Sequence, residues 1–442
     1  MVMNGKVVIF ITLVLFLCSF TFSACATAQA QKQKPAETKE QLEIAPGNWD
    51  SFNRGRLNQL IAEYGKGSKD YNPQKPPYAV FDWDNTCIFL DVEEATLVYQ
   101  LENLRFAATP EELDQAVRMN INPAVNFALT DKDGQNVSID MIAQDITGSY
   151  TWLYDNYKGL GGGGSASLEE VQKNPNYLNF ITKVRFTYDA ISETFSEDIA
   201  YPWVLYLFTG MNEQQVRALT ADTIHWQLKQ PVSTVTWTSP DAAELPGQKT
   251  GQIQVTWKNG LRLLPEMQNL HAALREAGFD VYICSASFID VVKEIGTNPD
   301  FGYNEDESHI FAMQLERDSD GRIQPAMRAG YAQTQGPGKT ETIRRFLAGS
   351  DGKYGYDPLL VAGDSTGDQN MLSDFPGMKL GLIINRLKGK GQILGKLSEE
   401  AVSSYGSKDA RCLLQGRNDN TGSFTPDQMH IKYGKTAGVK LP

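Results

Sequence analysis

The sequence predicts an α/β fold: a parallel sheet flanked by helices, with a large, mainly helical segment inserted into it. Three observations carry this. Residues 78–81, 281–284, 359–362 and 380–384 are short, wholly apolar runs, the pattern of strands covered on both faces. Helical patterns separate the later runs. The stretch 92–258 breaks this alternation with helical patches and many aromatic residues. A chain of 442 residues has room for more than one domain, or for one core with a large insertion. The expected division is a leader at 1–28, a tether at 29–47, a core from 48–91 and 259–442, and a cap from 92–258.

Taken in order, Lys6 precedes an apolar run over 7–22, and small residues follow from Ser23 to Ala28. This is the layout of a secretory signal. Phe22-Ser23-Ala24-Cys25 resembles a bacterial lipoprotein box, which implies a membrane tether through a lipidated Cys25. Ordinary cleavage after Ala28 and an uncleaved anchor are the alternatives. Each places the folded body outside the cytoplasm, in a periplasm or beyond the cell. Gln, Lys, Glu and Pro dominate 29–47, as in a solvated tether. Leu57, Leu60 and Ile61 give 51–64 helical spacing before Gly65. Helices are expected at 93–106 and 212–227. Gly161-Gly162-Gly163-Gly164-Ser165 lacks a preceding strand and a following Lys-Ser/Thr, so it reads as a loop, not a phosphate cradle. Beyond Gly260, helices are expected at 265–277, 289–295 and 339–347. Asp318-Ser319-Asp320-Gly321 marks a hairpin turn. The tail after Arg386 shows no clear pattern and is expected to pack on the core.

Composition excludes some functions. The net charge is −12 with no long basic run, which disfavours nucleic acid as a partner. Beyond Cys25 only Cys87, Cys284 and Cys412 remain, an odd number that rules out a complete disulfide framework. Cys87 and Cys284 both adjoin motifs; two buried thiols is the simpler reading, a disulfide the other. After the leader, no apolar stretch is long enough to span a bilayer.

The chemistry concentrates in four places. Asp82-Trp83-Asp84-Asn85-Thr86 follows the first apolar run. Two carboxylates at a strand's end are costly unless a cation or a reaction uses them, and ligands of α/β folds gather beyond those ends. An Asx-type turn is the structural alternative. Gly363-Asp364-Ser365-Thr366-Gly367-Asp368 repeats the arrangement after another apolar run. Between them stand Ser285, directly after a predicted strand, and Lys339 at a predicted helix start. Gly338-Lys339-Thr340 is not a P-loop: Gln333 replaces the required glycine and no strand precedes it.

This series resembles the haloacid dehalogenase-like hydrolase superfamily, in its phosphoserine phosphatase-like branch, over roughly residues 78–385. The resemblance implies a Rossmann-like core with a cap between the first and second motifs. It implies phosphoryl transfer through an aspartyl-phosphate. Asp82 would be the nucleophile, Asp84 the general acid and then base, Ser285 a phosphate ligand with Ser287 as its rival, and Lys339 the balancing charge. Mg²⁺ would be held by Asp82, the backbone carbonyl of Asp84, Asp364 and Asp368. Asp91, Glu94, Thr86 and Ser287 would line the substrate, although Asp91 and its neighbours Glu93 and Glu94 also suit a plain helix start. The insertion's aromatic residues, among them Tyr150, Trp152, Tyr201, Trp203 and Tyr206, could wall a quaternary ammonium group or be core. Residues 81–86, Leu207-Phe208-Thr209-Gly210-Met211, residues 284–287 and Leu414-Gln415-Gly416-Arg417 are similar to stretches of secreted bacterial phosphorylcholine phosphatases. That implies phosphorylcholine as substrate. Phosphoserine or another small monoester is the alternative, and an inactive lipoprotein that captures choline-like solutes is the alternative from another class.

Overall fold

The computed structural model describes residues 43–442. The leader, Cys25 and most of the expected tether lie outside the described residues. Six strands form the central sheet: β1 (Tyr78–Phe81), β2 (Asp280–Phe288), β3 (Ile310–Met313), β4 (Leu360–Gly363), β5 (Leu380–Ile384) and β6 (Cys412–Gln415). Their order is β6-β5-β4-β1-β2-β3, and every pairing is parallel. The Rossmann-like core expected from the apolar runs is therefore present. Alternate side chains enter opposite faces, and both faces are buried. Ala79, Phe81, Ile283 and Ala362 pack on one side, and Val80, Tyr282, Cys284 and Val361 on the other.

Register decides where the site forms. Phe81 stands opposite both Ile283 and Ala362. The three motif-bearing strands β1, β2 and β4 thus run out at one rim, next to the central strand.

Two departures from the sequence reading matter. β2 continues to Phe288 instead of stopping at Cys284. The tail does more than pack on the core: it adds helix Ile393–Ser403 and then β6, the edge strand beside β5. A four-residue run such as Cys412–Gln415 has no periodicity to mark it, and only its ladder with β5 defines it as a strand. The expected tether is also shorter than drawn. Ile44 is fully buried and its N–H donates to Asn58 Oδ1, because helix Ser51–Tyr64 offers an apolar face to cover it.

Between β1 and β2 the chain is mainly helical, as expected: Val92–Glu102, Pro110–Arg118, Ile139–Asn156, Pro175–Thr194, Glu197–Leu205 and Glu213–Gln227. Two antiparallel hairpins, Asn126–Thr130 with Asn136–Ser138 and Ser233–Thr238 with Gln254–Asn259, were not anticipated. One buried carboxylate joins these pieces. Asp145, on helix Ile139–Asn156, accepts from Lys183 Nζ of helix Pro175–Thr194 at 2.8 Å. It also accepts from the Lys249 N–H, the Thr250 N–H and the Thr250 hydroxyl, which lead into the second hairpin. Removing one partner of a buried pair strands the other charge, at a typical cost of about 3–5 kcal/mol. Asp145→Ala should lose that much in urea denaturation; a loss below about 1 kcal/mol would contradict this role.

Candidate active site

The site is built on the first residue beyond β1. The Asp82 N–H still donates to Ala362 O, so this residue is held to β4. Lys339 Nζ lies 2.5 Å from Asp82 Oδ1 and 2.7 Å from Asp368 Oδ1. Thr86 Oγ1 sits 2.8 Å from Asp82 Oδ2 and 2.9 Å from Asp364 Oδ1, so its single proton serves one of them at a time. Asp368 Oδ2 accepts from the N–H groups of Asp364 and Ser365. One oxygen from each of Asp82, Asp364 and Asp368 falls within 4.8 Å of the others, and all three residues are buried. The acids expected to share a cation therefore do converge.

Local sequence explains the approach. Gly363 ends β4 where a Cβ would stand 2.5 Å from Asp368 Cβ, and Gly338 crosses Gln333 O where a Cβ would stand at 1.9 Å. Only glycine permits such close approach. Pro337 opens helix Pro337–Ile343, so Lys339 enters the site from its first turn.

Asp84 points elsewhere. Its Oδ1 accepts the Val92 N–H at 2.7 Å, and its Oδ2 accepts the Ser287 hydroxyl at 2.6 Å. Its side chain is thus outside the acid triad, and only its backbone carbonyl would be available as the expected metal ligand. The two candidate serines are placed differently. Ser285 is fully buried, its Oγ accepts from the Ser287 N–H and lies 3.4 Å from Asp84 Oδ2, while Ser287 lines the cavity. The cause is the strand. β2 runs past Ser285, and its register against β3 shifts between Cys284 and Phe288. Such an irregularity re-aims the side chains within it.

The cavity is bordered by six carboxylates (Asp82, Asp84, Asp91, Glu93, Asp364, Asp368) and two cations (Lys339, Arg386). Asp91 meets both readings of it. It caps helix Val92–Glu102 by accepting from the N–H groups of Glu93 and Glu94, and it lines the cavity. Glu94 does not line this cavity and pairs with Arg185 at 3.2 Å. Glu93 lines it. Its Oε2 accepts the Phe288 N–H at 2.9 Å, while its buried Oε1 has no partner among the described residues. The helix phase puts position 93 inward, which spacing alone does not reveal. Of the aromatic residues singled out, Tyr201 reaches the cavity. Tyr150 and Trp203 are core, donating to Ala108 O and Val117 O. Tyr188 also lines the cavity and nothing in the sequence marked it. Arg386 pairs with Asp364 and was missed as well. A signal existed for it: a cation two residues beyond a wholly apolar strand, the logic already applied to the acids.

Burial and like charge dominate the electrostatics. Burial, then Asp368, pushes the Asp82 carboxyl well up, with Lys339 opposing. Burial raises Asp84 to about 6, against its hydrogen bonds from Ser287 and Val92. Burial pulls the Lys339 ammonium down, but Asp368 and Asp82 outweigh it and hold the lysine charged. An all-oxygen donor set with excess negative charge fits a hard divalent cation such as Mg²⁺. Cys87, Cys284 and Cys412 are free and buried, so the disulfide alternative is not realised. The Cys87 thiol donates to Asp82 O.

A rim of acids, a lysine and a hydroxyl beyond a parallel sheet is the arrangement that the resemblance to haloacid dehalogenase-like hydrolases implies. Phosphorylcholine phosphatase of Pseudomonas aeruginosa is 21% identical over 266 residues, 60% of this chain and 54% of that protein. The match thus spans about half the length of that curated relative. A conserved protein of unknown function from Anaerococcus prevotii superposes with a TM-score of 0.81 at 34% identity, over 89% of this chain and 99% of its own. No family model matches the sequence. Among the described residues no helix is long and apolar enough to cross a membrane.

Glu93 yields a pH prediction. Burial raises it from 4.5 to about 8. Between those values the folded state holds a proton the unfolded state has lost, so this group makes stability fall as pH rises, levelling off above about 8. Glu93→Gln should therefore gain on the wild type from pH 5 to pH 8 in denaturation midpoint. A constant difference across that range would contradict the assignment.

Proposed function

We propose that the protein is a phosphomonoesterase acting through an aspartyl-phosphate on Asp82. The observation that carries this reading is the buried contact of Lys339 with both Asp82 and Asp368, beside Asp364. A solute binder needs no such balanced nucleophile. In the first step an Asp82 oxygen bonds to phosphorus, the ester P–O bond breaks, and Asp84 gives its proton to the leaving oxygen. In the second, Asp84 takes a proton from water, whose oxygen bonds to phosphorus and releases phosphate and free Asp82. A carboxyl raised to about 6 suits both directions near neutrality. Ser287, bonded to Asp84, and Lys339 hold the phosphoryl group and its charge in line for attack. Asp82, Asp364, Asp368 and the carbonyl of Asp84 would hold Mg²⁺, which when bound supplies neutralisation of charge between nucleophile and phosphate.

Phosphorylcholine is the favoured substrate. Tyr188 and Tyr201 line the cavity beside Asp91 and Glu93, and their rings suit a quaternary ammonium by cation–π attraction. Phosphoserine and other small monoesters follow within the same chemistry. The leader read in residues 1–28 supports an exported enzyme.

Asp82→Asn should lower kcat by roughly 10⁴-fold or more with Tm little changed, as judged by p-nitrophenyl phosphate hydrolysis; near-normal turnover would remove Asp82 as nucleophile. Treatment with EDTA should stop hydrolysis and Mg²⁺ restore it, whereas full activity in chelator would rule out the cation. Across a panel of monoesters, phosphorylcholine should give the highest kcat/KM. A rank no better than glycerol phosphate would discard the ammonium subsite.

A further inference from the structure

The stretch Leu414-Gln415-Gly416-Arg417 is not used by the chemistry above, yet it reaches the active site from the far end of the chain. Arg417 is 1% exposed. Its Nε and Nη2 donate to Asp419 Oδ1 at 2.9 Å, and its guanidinium stacks over Phe89 at 4.8 Å. The remaining arm, Nη1, donates to Asn85 Oδ1 at 3.1 Å and lies 3.4 Å from Asn85 O. Asn85 is the residue between Asp84 and Thr86, and it holds φ at +61°. A side chain in that left-handed region is uncommon and needs support; Asn85 has it from Arg417 and from its own N–H, which donates to Leu90 O.

A guanidinium can only donate. The amide oxygen of Asn85 must therefore face Arg417, and the amide nitrogen must face away. Asn85 is 7% exposed and lines the catalytic cavity together with Asp91 and Arg386. Its Nδ2 has no acceptor among the described residues, and it is not among the sealed unsatisfied atoms. A nearly buried amide donor with no protein partner, opening on a cavity, is unfinished without a ligand acceptor.

We propose that Asn85 Nδ2 donates a hydrogen bond to an oxygen of the substrate's phosphoryl group, and that Arg417 is the positioning residue that presents it. The proposal rests on the phosphomonoesterase reading, but its test separates the two. Asn85→Gly keeps the backbone conformation, which glycine adopts without strain, and removes the amide. Asn85→Asp keeps an acceptor for Arg417 and removes the donor. In Mg²⁺ buffer both variants should stay folded with Tm within a few degrees of wild type. Both should lower kcat/KM for p-nitrophenyl phosphate, and weaken binding of inorganic phosphate in calorimetry, by roughly ten- to a hundredfold, the worth of one hydrogen bond to a charged group. If Arg417 acts through Asn85, Arg417→Lys should lower kcat/KM in the wild type and cost nothing more in the Asn85→Gly background. Equal losses in both backgrounds would make Arg417 merely structural and overturn its positioning role. Normal phosphate affinity in both Asn85 variants would overturn the donor, leaving the phosphatase reading intact. A wild type without turnover, whose phosphate binding still depends on Asn85, would do the reverse.

Discussion

The contact on which the rest of the site depends is that of the Lys339 ammonium with two buried carboxylates, Asp82 and Asp368. Taking three ions out of water costs several kcal/mol each, which hydrophobic side chains of similar size would avoid. What the ions provide is a lysine charge set directly against the Asp82 carboxyl, opposing the upward push of burial and Asp368. Every neighbouring element is arranged around that contact. β1 and β4 deliver the acids, Gly363 lets Asp368 fold back against its own strand, and the Pro337 turn brings the lysine in from a third direction.

The proposed proton donor is held by a different part of the chain from the nucleophile. Asp84 accepts the first N–H of helix Val92–Glu102 and the hydroxyl of Ser287. The first of these ties the loop after β1 to the start of the insertion, the second to the irregular end of β2. The same helix start turns Asp91 and Glu93 into the cavity. A shift of that helix would therefore move Asp84 and this part of the cavity wall together.

The tail closes the opposite side. Gln415 accepts from the Asp50 N–H and donates to Thr425 O, so the end of β6 joins the chain's early helix to the small terminal sheet. Arg417 follows two residues later and reaches the loop that carries Asp82 and Asp84. Within the described residues, segments more than 330 positions apart thus set the backbone of the first motif.

The sequence by itself determined the sheet strands β1, β2, β4 and β5, the helical insertion, and the four places where chemistry gathers. Apolar runs without alternation can only be buried on both faces, and charge at their ends needs a reason. It did not determine which of two adjacent or alternate residues faces the cavity. That Ser287, Glu93 and Tyr188 line it, and Ser285 and Glu94 do not, follows from a strand's local irregularity and a helix's phase, where one position turns a side chain away. Arg386, Arg417 and the strand β6 were beyond reach for another reason. Their partners are Asp364, Asn85 and β5, and a contact between distant segments exists only once the chain has folded.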